Sequence, residues 1–142
     1  MLNAPQALTA PLTALLQHEG ITNAPEVSVV LCDDPFIQSL NAVHRGKNKP
    51  TDVLSFAQDD PEYLGDIVIS LPIAARQAEA AGWTLEHEIA LLGVHGLLHL
   101  LGHDDETAAG AWEMQTKTEA ALRQSGIPVP EAGTHPFFVE AE

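Results

Sequence analysis

The sequence predicts a small α+β domain in which helices cover one mixed sheet, with the element order α-β-α-β-β-α-α-α. Two observations favour this class. The chain has 142 residues, enough for one domain with a hydrophobic core and too few for two ordinary ones. Its β-type runs lie in the first half, whereas segments with a helical period dominate the second half. We therefore expect a single domain over residues 1–127, followed by a flexible tail over residues 128–142.

The first half begins with a helix, a strand and a second helix. Leucines recur at helical spacing within residues 6–18, and residues 27–31 form a short β-type run rich in valine. Asp34 followed by Pro35 is a typical helix start, because aspartate caps the first turn and proline fits the first helical position. The second helix is therefore expected over residues 35–44. Three apolar residues are expected to lie on one side of it: Phe36, Leu40 and Val43.

Two strands are expected next, joined by an acidic turn. Residues 52–57 alternate weakly in polarity and predict the first of them. Residues 58–63 are rich in carboxylates and contain a proline, which favours a turn. Residues 65–70 form the strongest β-branched run in the chain and predict the second strand.

The second half is expected to be helical. Alanine-rich residues 71–81 predict a helix that ends at Gly82, since glycine tolerates the left-handed backbone found just past helix ends. Thr84 is placed to cap the next helix, which is apolar on nearly all sides and should therefore be buried. A last helix is expected over residues 106–124.

For two side chains in these helices, the residue type predicts whether they are exposed or buried. Glutamate is seldom buried, so Glu88 is expected to be exposed, although it shares a helix face with His95 and could support a site there. Trp112 is expected in the core rather than as a surface for base stacking.

A histidine pair on the buried helix predicts a metal site. His95 and His99 are four residues apart, which places both imidazoles on one helix face, one turn apart. Gly102 can end the helix and turn the chain back towards them. Three residues after this turn are candidates for a third ligand: His103, Asp104 and Asp105. Nitrogen and oxygen ligands without a nearby thiolate favour zinc over nickel, manganese or iron, and three protein ligands leave the open position of a catalytic site.

The spacing of these histidines also resembles a metallopeptidase motif. Such peptidases carry a glutamate next to the first histidine, where it deprotonates water. This chain has Gly96 at that position, so a peptidase mechanism would lack its general base. A metallopeptidase is therefore the weaker enzyme hypothesis.

The charge distribution points to one segment. The formal net charge is −14, which by itself disfavours a polyanionic partner. However, half of the six lysines and arginines lie within residues 45–49, so this segment could bind an anion; a solvated loop is the alternative. The single cysteine, Cys32, and an N-terminus unlike a signal peptide are compatible with a cytoplasmic protein.

Three segments carry patterns found together in one known family. They are His-Gly-x-Leu-His-Leu-x-Gly-x-Asp at 95–104, Arg-Gly-Lys-x-Lys-Pro-Thr-Asp-Val-Leu-Ser-Phe at 45–56 and Leu-Gly-Asp-Ile-Val-Ile-Ser at 64–70. In this order they resemble the YbeY family of bacterial endoribonucleases. The resemblance implies a zincin-like fold, one bound metal that is usually zinc, and cleavage of single-stranded RNA. It also implies roles in 16S rRNA 3′-end processing and ribosome quality control, with the ribosome or ribosomal proteins as partners and neither DNA nor a membrane.

The resemblance also assigns residues. His95 and His99 match the first two metal ligands of the family, and Arg45 matches an arginine that its members need for activity. A guanidinium can hold a phosphate with two hydrogen bonds and stabilise transition-state charge. Lys47 and Lys49 would then contact the RNA backbone without reading its sequence.

The third ligand departs from the family pattern. The family has a histidine six residues after the second ligand, and this chain has Asp105 there. Asp105 could bind the metal directly, because carboxylates are accepted zinc ligands, or His103 could take its place. We favour Asp105, since it keeps the spacing. His103 and Asp104 are the nearest candidates for a catalytic base. A ribosome-associated factor with a purely structural metal is the non-enzymatic alternative.

Overall fold

Five helices and three strands make up the part of the chain that the structure describes. The computed structural model describes residues 4–23, 25–45 and 52–129. Its elements are α1 (Ala4–His18), β1 (Glu26–Cys32), α2 (Asp34–Arg45), β2 (Val53–Asp60), β3 (Tyr63–Ser70), α3 (Leu71–Ala81), α4 (Leu85–Leu100) and α5 (Ala108–Gln124). The predicted α+β class and the predicted element order are both confirmed.

The three strands form one mixed sheet in the order β1-β3-β2. The central strand β3 runs parallel to β1, with Ile67 beside Val29, and antiparallel to β2, with Ile67 beside Ser55. Ile67, Val68 and Ile69 are all buried, as expected for β-branched residues in a strand covered on both faces.

Helix α4 packs between α1 and the sheet, and two glycines make this possible. A Cβ atom at Gly93 would lie 2.5 Å from Cδ2 of Leu8 in α1, and one at Gly96 would lie 2.7 Å from Cγ2 of Ile67 in β3. A side chain at either position would force its neighbour to move, so the glycines let α1 and β3 pack closely against this helix. The burial predicted from the apolar character of this helix is confirmed. Within residues 4–23, 25–45 and 52–129, no helix is both long enough and apolar enough to cross a membrane.

The start of α2 differs from the prediction by one residue. Asp33, rather than Asp34, caps the helix, because its Oδ1 accepts a hydrogen bond of 3.0 Å from the backbone N–H of Phe36. Asp34 is instead the first helical residue, and its carboxylate accepts a 2.6 Å hydrogen bond from the Ser70 hydroxyl at the end of β3.

The buried side of α2 also differs from the prediction. Phe36 is 49% exposed and Val43 is 78% exposed, so they do not form a buried stripe with Leu40. Ile37 and Asn41 are the residues that face inward instead. The packed face is thus rotated by about a quarter of a turn from the one that the apolar residues suggested.

Two other element ends differ from the prediction. β2 continues to Asp60, opposite Tyr63, so the acidic turn is shorter than expected. α5 begins at Ala108, because the Thr107 hydroxyl caps it by accepting a hydrogen bond from the N–H of Gly110. Residues 130–142 lie outside the described part of the chain, so the flexible tail stays a prediction.

The predictions for Glu88 and Trp112 were wrong. Glu88 is fully buried and accepts hydrogen bonds of 2.9 Å from Trp83 Nε1 and from Gln77 Nε2. These two donors satisfy its carboxylate and connect the end of α3 to the first turns of α4. Trp112 is 52% exposed on the outer side of α5.

Candidate metal centre

Helix α4 places the histidine pair. Its start is fixed as predicted by Thr84, whose hydroxyl accepts a 3.1 Å hydrogen bond from the N–H of His87. His95 and His99 then lie one turn apart, with their Nε2 atoms 3.1 Å from each other and their rings at an angle of 76°. Two ligands of a tetrahedral zinc ion at ordinary bond lengths are about 3.3 Å apart, so this pair fits such an ion.

The turn after α4 has the geometry of a Schellman motif. Gly102 has a φ of 96° and donates its N–H to the carbonyl of His99 at 3.0 Å. The N–H of His103 reaches the carbonyl of Leu98 at 3.0 Å. This double hydrogen bond requires a left-handed residue at Gly102 and reverses the chain direction. The reversal returns Asp105 to the histidine pair.

Asp105 completes a group of three metal-type ligands. Its Oδ2 lies 4.0 Å from His95 Nε2, and the ligand atoms of His95, His99 and Asp105 all lie within 4.8 Å of one another. The side chain of Asp105 is 49% exposed, whereas that of His95 is 17% exposed. The group is therefore buried on the helix side and open towards solvent on the carboxylate side. Two imidazoles and one carboxylate form a donor set suited to a divalent ion with an open position.

The surroundings keep His95 in its neutral form. Burial lowers the pKa of His95, and the neighbouring His99 lowers it further, whereas Asp52 and Asp105 act in the opposite direction. A neutral imidazole retains the lone pair that a metal ligand needs, so burial of this side chain favours metal binding at neutral pH.

His103 and Asp104, the other two candidates for the third ligand, make hydrogen bonds outside the ligand group. Nε2 of His103 lies 2.5 Å from Oε1 of Glu19, and since a carboxylate only accepts, this nitrogen must carry the proton. Asp104 Oδ1 accepts a hydrogen bond of 2.5 Å from the N–H of Glu106 within the turn itself. The structure therefore brings Asp105 together with His95 and His99. His103 is instead hydrogen-bonded to Glu19 through Nε2.

Similarity to known proteins covers most of the chain, well beyond these ligands. The sequence profile of the family described as Endoribonuclease YbeY matches residues 3–126. The chain belongs to the YbeY family. A YbeY endoribonuclease of Moorella thermoacetica is 47% identical over 133 residues, covering 84% of this chain and 85% of that protein. One of Deinococcus radiodurans is 49% identical over 138 residues, covering 86% of this chain and 88% of that protein.

A solved structure shares the fold of this chain. The solution structure of TM1509 from Thermotoga maritima matches with a TM-score of 0.59 at 24% identity. The match covers 92% of this chain and 95% of that one. The family profile and the two relatives together confirm that the resemblance found in the three sequence segments is a family relationship.

The basic segment of this YbeY chain lies largely outside the described residues. Arg45 is the last residue of α2, and the structure does not describe its side chain. Lys47 and Lys49 fall within residues 46–51, which lie outside the described part. The assignments of these three residues therefore stay predictions.

Sequence reasoning missed Glu19, which contacts His103 in the turn, and Lys117, which contacts Glu19. Glu19 directly follows α1, and Lys117 lies in α5, with its Nζ 2.7 Å from Glu19 Oε2. Glu19 and His103 are 84 positions apart, and no local pattern relates residues at such a distance.

The packing around Gly96 also distinguishes this YbeY chain from the metallopeptidases. A Cβ atom there would lie 2.7 Å from Ile67 Cγ2 and 3.1 Å from Ser55 Oγ. The Ser55 hydroxyl also donates a 3.0 Å hydrogen bond to the Gly96 carbonyl, which holds β2 against α4. A glutamate at position 96 would have to enter the sheet, so the peptidase alternative lacks space as well as a base.

Gly96→Ala is expected to destabilise the protein by about 1–3 kcal/mol, the usual cost of overpacking a filled core. The reason is the clash with the fully buried Ile67. The measurement is the free energy of unfolding in urea for the wild type, Gly96→Ala, Ile67→Ala and the double variant. If the clash is the cause, alanine at position 96 costs less when Ile67 is already alanine. A Gly96→Ala variant at least as stable as the wild type would contradict this account, since alanine otherwise favours helices.

Proposed function

We propose that this chain is a metal-dependent endoribonuclease that cleaves single-stranded RNA in the cytoplasm. The convergence of His95, His99 and Asp105 at a solvent-open position carries the proposal. The names of its relatives, which are endoribonucleases of the same family, support it. By the same family relationship, we propose that its substrate is rRNA and that it acts in 16S rRNA 3′-end processing and ribosome quality control, together with the ribosome or ribosomal proteins.

In this proposal one divalent ion is held by three side chains. His95 and His99 supply imidazole nitrogens, and Asp105 supplies a carboxylate oxygen where the family pattern has a third histidine. When bound, such an ion acidifies water and withdraws charge from a phosphate oxygen. Zinc suits the two imidazoles, while the carboxylate moves the preference towards harder ions such as manganese.

The choice of Asp105 over His103 as third ligand is supported by the contacts of both residues. Asp105 Oδ2 is 4.0 Å from His95 Nε2 and faces the open side of the group. His103 would first have to break its hydrogen bond with Glu19 and turn its ring. A ligand with no such contact to lose binds at lower cost.

The remaining roles fall to the basic segment and to the turn. We propose that Arg45 clamps the scissile phosphate and that Lys47 and Lys49 hold the neighbouring backbone. His103 and Asp104 stay the candidates for a catalytic base, with Asp104 in the more exposed position. Water or the ribose 2′-hydroxyl could be the group that a base activates.

The decisive experiment combines metal analysis with RNA cleavage. We expect the wild type to bind about one zinc ion, as a three-ligand site predicts, and to cleave a single-stranded RNA in a reaction that EDTA stops. Asp105→Ala should lose far more metal affinity than His103→Ala. The opposite order would make His103 the third ligand.

The same samples test the two other functional hypotheses. Metal-dependent melting without nuclease activity would indicate a ribosome-associated factor with a structural metal. Cleavage of a peptide substrate without cleavage of RNA would favour a peptidase.

A further inference from the structure

The Asp105 carboxylate lies beside His95 although its neighbours in the sequence do not favour this position. It lies in the connection between α4 and α5, between Asp104 and Glu106, whose like charges repel it. Its side chain is half exposed, yet its carboxylate stays beside His95. An exposed side chain in a short connection keeps one place only where the backbone around it is fixed.

The backbone before Asp105 is fixed through His103. The Schellman motif ends at this residue, and its side chain turns inward to donate from Nε2 to Glu19 Oε1 at 2.5 Å. The side chains of His103 and Glu19 are only 21% and 14% exposed. Hydrogen bonds to a carboxylate are among the strong ones, and shielding from solvent strengthens them further.

Glu19 is in turn held from two other elements. Its second carboxylate oxygen accepts a 2.7 Å hydrogen bond from Lys117 Nζ in α5, and its N–H donates to the carbonyl of Leu15 in α1. Burial raises the pKa of Glu19, but the hydrogen bonds and charges of Lys117 and His103 outweigh this, and the net pKa is lowered. Glu19 is therefore a charged and stationary acceptor at neutral pH.

The backbone after His103 is fixed by α5. A Cβ atom at Gly110 would lie 2.2 Å from the carbonyl oxygen of Asp104, so the two backbones are in direct contact. The turn is thus held by Glu19 at His103 and by Gly110 at Asp104, and Asp105 directly follows these two residues in the chain.

We propose that Glu19 is a positioning residue of the metal centre, which holds His103 and thereby presents the Asp105 carboxylate to His95 and His99. The proposal rests on the proposed metal site, and it assigns a role to a residue outside the group of candidate ligands. A carboxylate held in place binds a metal with less loss of freedom than a mobile one, so Glu19 acts on metal affinity.

The test is the zinc affinity of the full-length chain, measured by competition with a chromogenic chelator. Glu19→Ala is expected to weaken zinc binding by about 10-fold, the lower end of the effect of removing a direct partner of a ligand, since Glu19 acts on Asp105 through His103. Glu19→Gln keeps the shape and one acceptor oxygen, so it should recover most of this loss. Glu113→Ala is the matched control, because it removes an equal charge that lies 3.8 Å from His103 and 3.7 Å from Lys117. It should bind zinc like the wild type.

A second readout separates positioning from stability. The visible absorption spectrum of the cobalt-loaded protein reports the ligand set directly. It should change in Glu19→Ala and remain unchanged in Glu113→Ala. If Glu19→Ala does not fold, Glu19→Asp replaces it, since it keeps the charge and withdraws the carboxylate by one methylene group.

Several outcomes would overturn the proposal. Zinc affinity within about twofold of the wild type in a less stable Glu19→Ala protein would show a merely structural role. Equal losses in Glu19→Ala and Glu113→Ala would show an effect of charge alone. Unchanged zinc binding in His95→Ala would refute the assignment of the metal centre, and with it both the proposed function and the role of Glu19. Wild-type zinc binding without RNA cleavage would refute the nuclease function while leaving the role of Glu19 to be decided by the affinities.

Discussion

Replacement of His99 by alanine is expected to abolish metal binding and RNA cleavage together. His99 supplies one of only two imidazoles in the ligand group, and its Nε2 lies 3.1 Å from that of His95. With one imidazole and one exposed carboxylate left, the chain would hold a divalent ion no better than an ordinary surface site. The measurements are metal content after dialysis and cleavage of a single-stranded RNA, and both should fall to background.

His87→Ala is the matched control for this change. It makes the same substitution in the same helix, in the first turn of α4, where the ring contacts Trp83 rather than the ligand group. Metal content and cleavage should both stay at the wild-type level. Full RNA cleavage by His99→Ala would refute the assignment of the metal centre.

Arg45→Ala is expected to leave metal binding intact and to lower the rate of RNA cleavage by about 10²–10³-fold, the usual cost of losing one donor to transition-state charge. The reason is the loss of the guanidinium that we propose for the scissile phosphate. Arg45→Lys should restore only part of the rate, because an ammonium group keeps the charge but not the paired hydrogen bonds. The measurements are single-turnover cleavage rates together with zinc content.

Arg123→Ala controls for the change in net charge. Arg123 lies in α5 and pairs with Glu119 on the protein surface, with Nη2 2.9 Å from Oε1. Its removal should leave the cleavage rate nearly unchanged. An Arg45→Ala protein that loses both zinc and its folded structure would show that the arginine is structural.

The ligand-bearing helix could be predicted from the sequence because its determinants are local. The cap at Thr84, the spacing of His95 and His99 and the turn at Gly102 each depend on residues within a few positions of one another. The structure reproduces all of them. The same holds for β3, where the run of β-branched residues is itself the signal.

Other features depend on contacts between different elements and could not be predicted from the sequence. The buried face of α2 is set by the sheet beneath it, and residue type alone favoured Phe36 over Asn41. Glu88 is buried because Trp83 and Gln77 both donate hydrogen bonds to it, and the helical period of the sequence does not predict these contacts. Likewise, nothing near Glu19 in the sequence relates it to His103.

The two glycines that let α4 approach α1 and the sheet also bear on whether the protein folds before it binds a metal. Because Gly93 and Gly96 lock the helix between two layers, the backbone fixes the separation of His95 and His99, as part of the hydrophobic core. In the proposed metal centre, folding would therefore precede metal binding, and the ion could leave without unfolding of the domain. Selection among competing ions would then depend on the turn that carries Asp105, the proposed ligand that lies outside the buried helix.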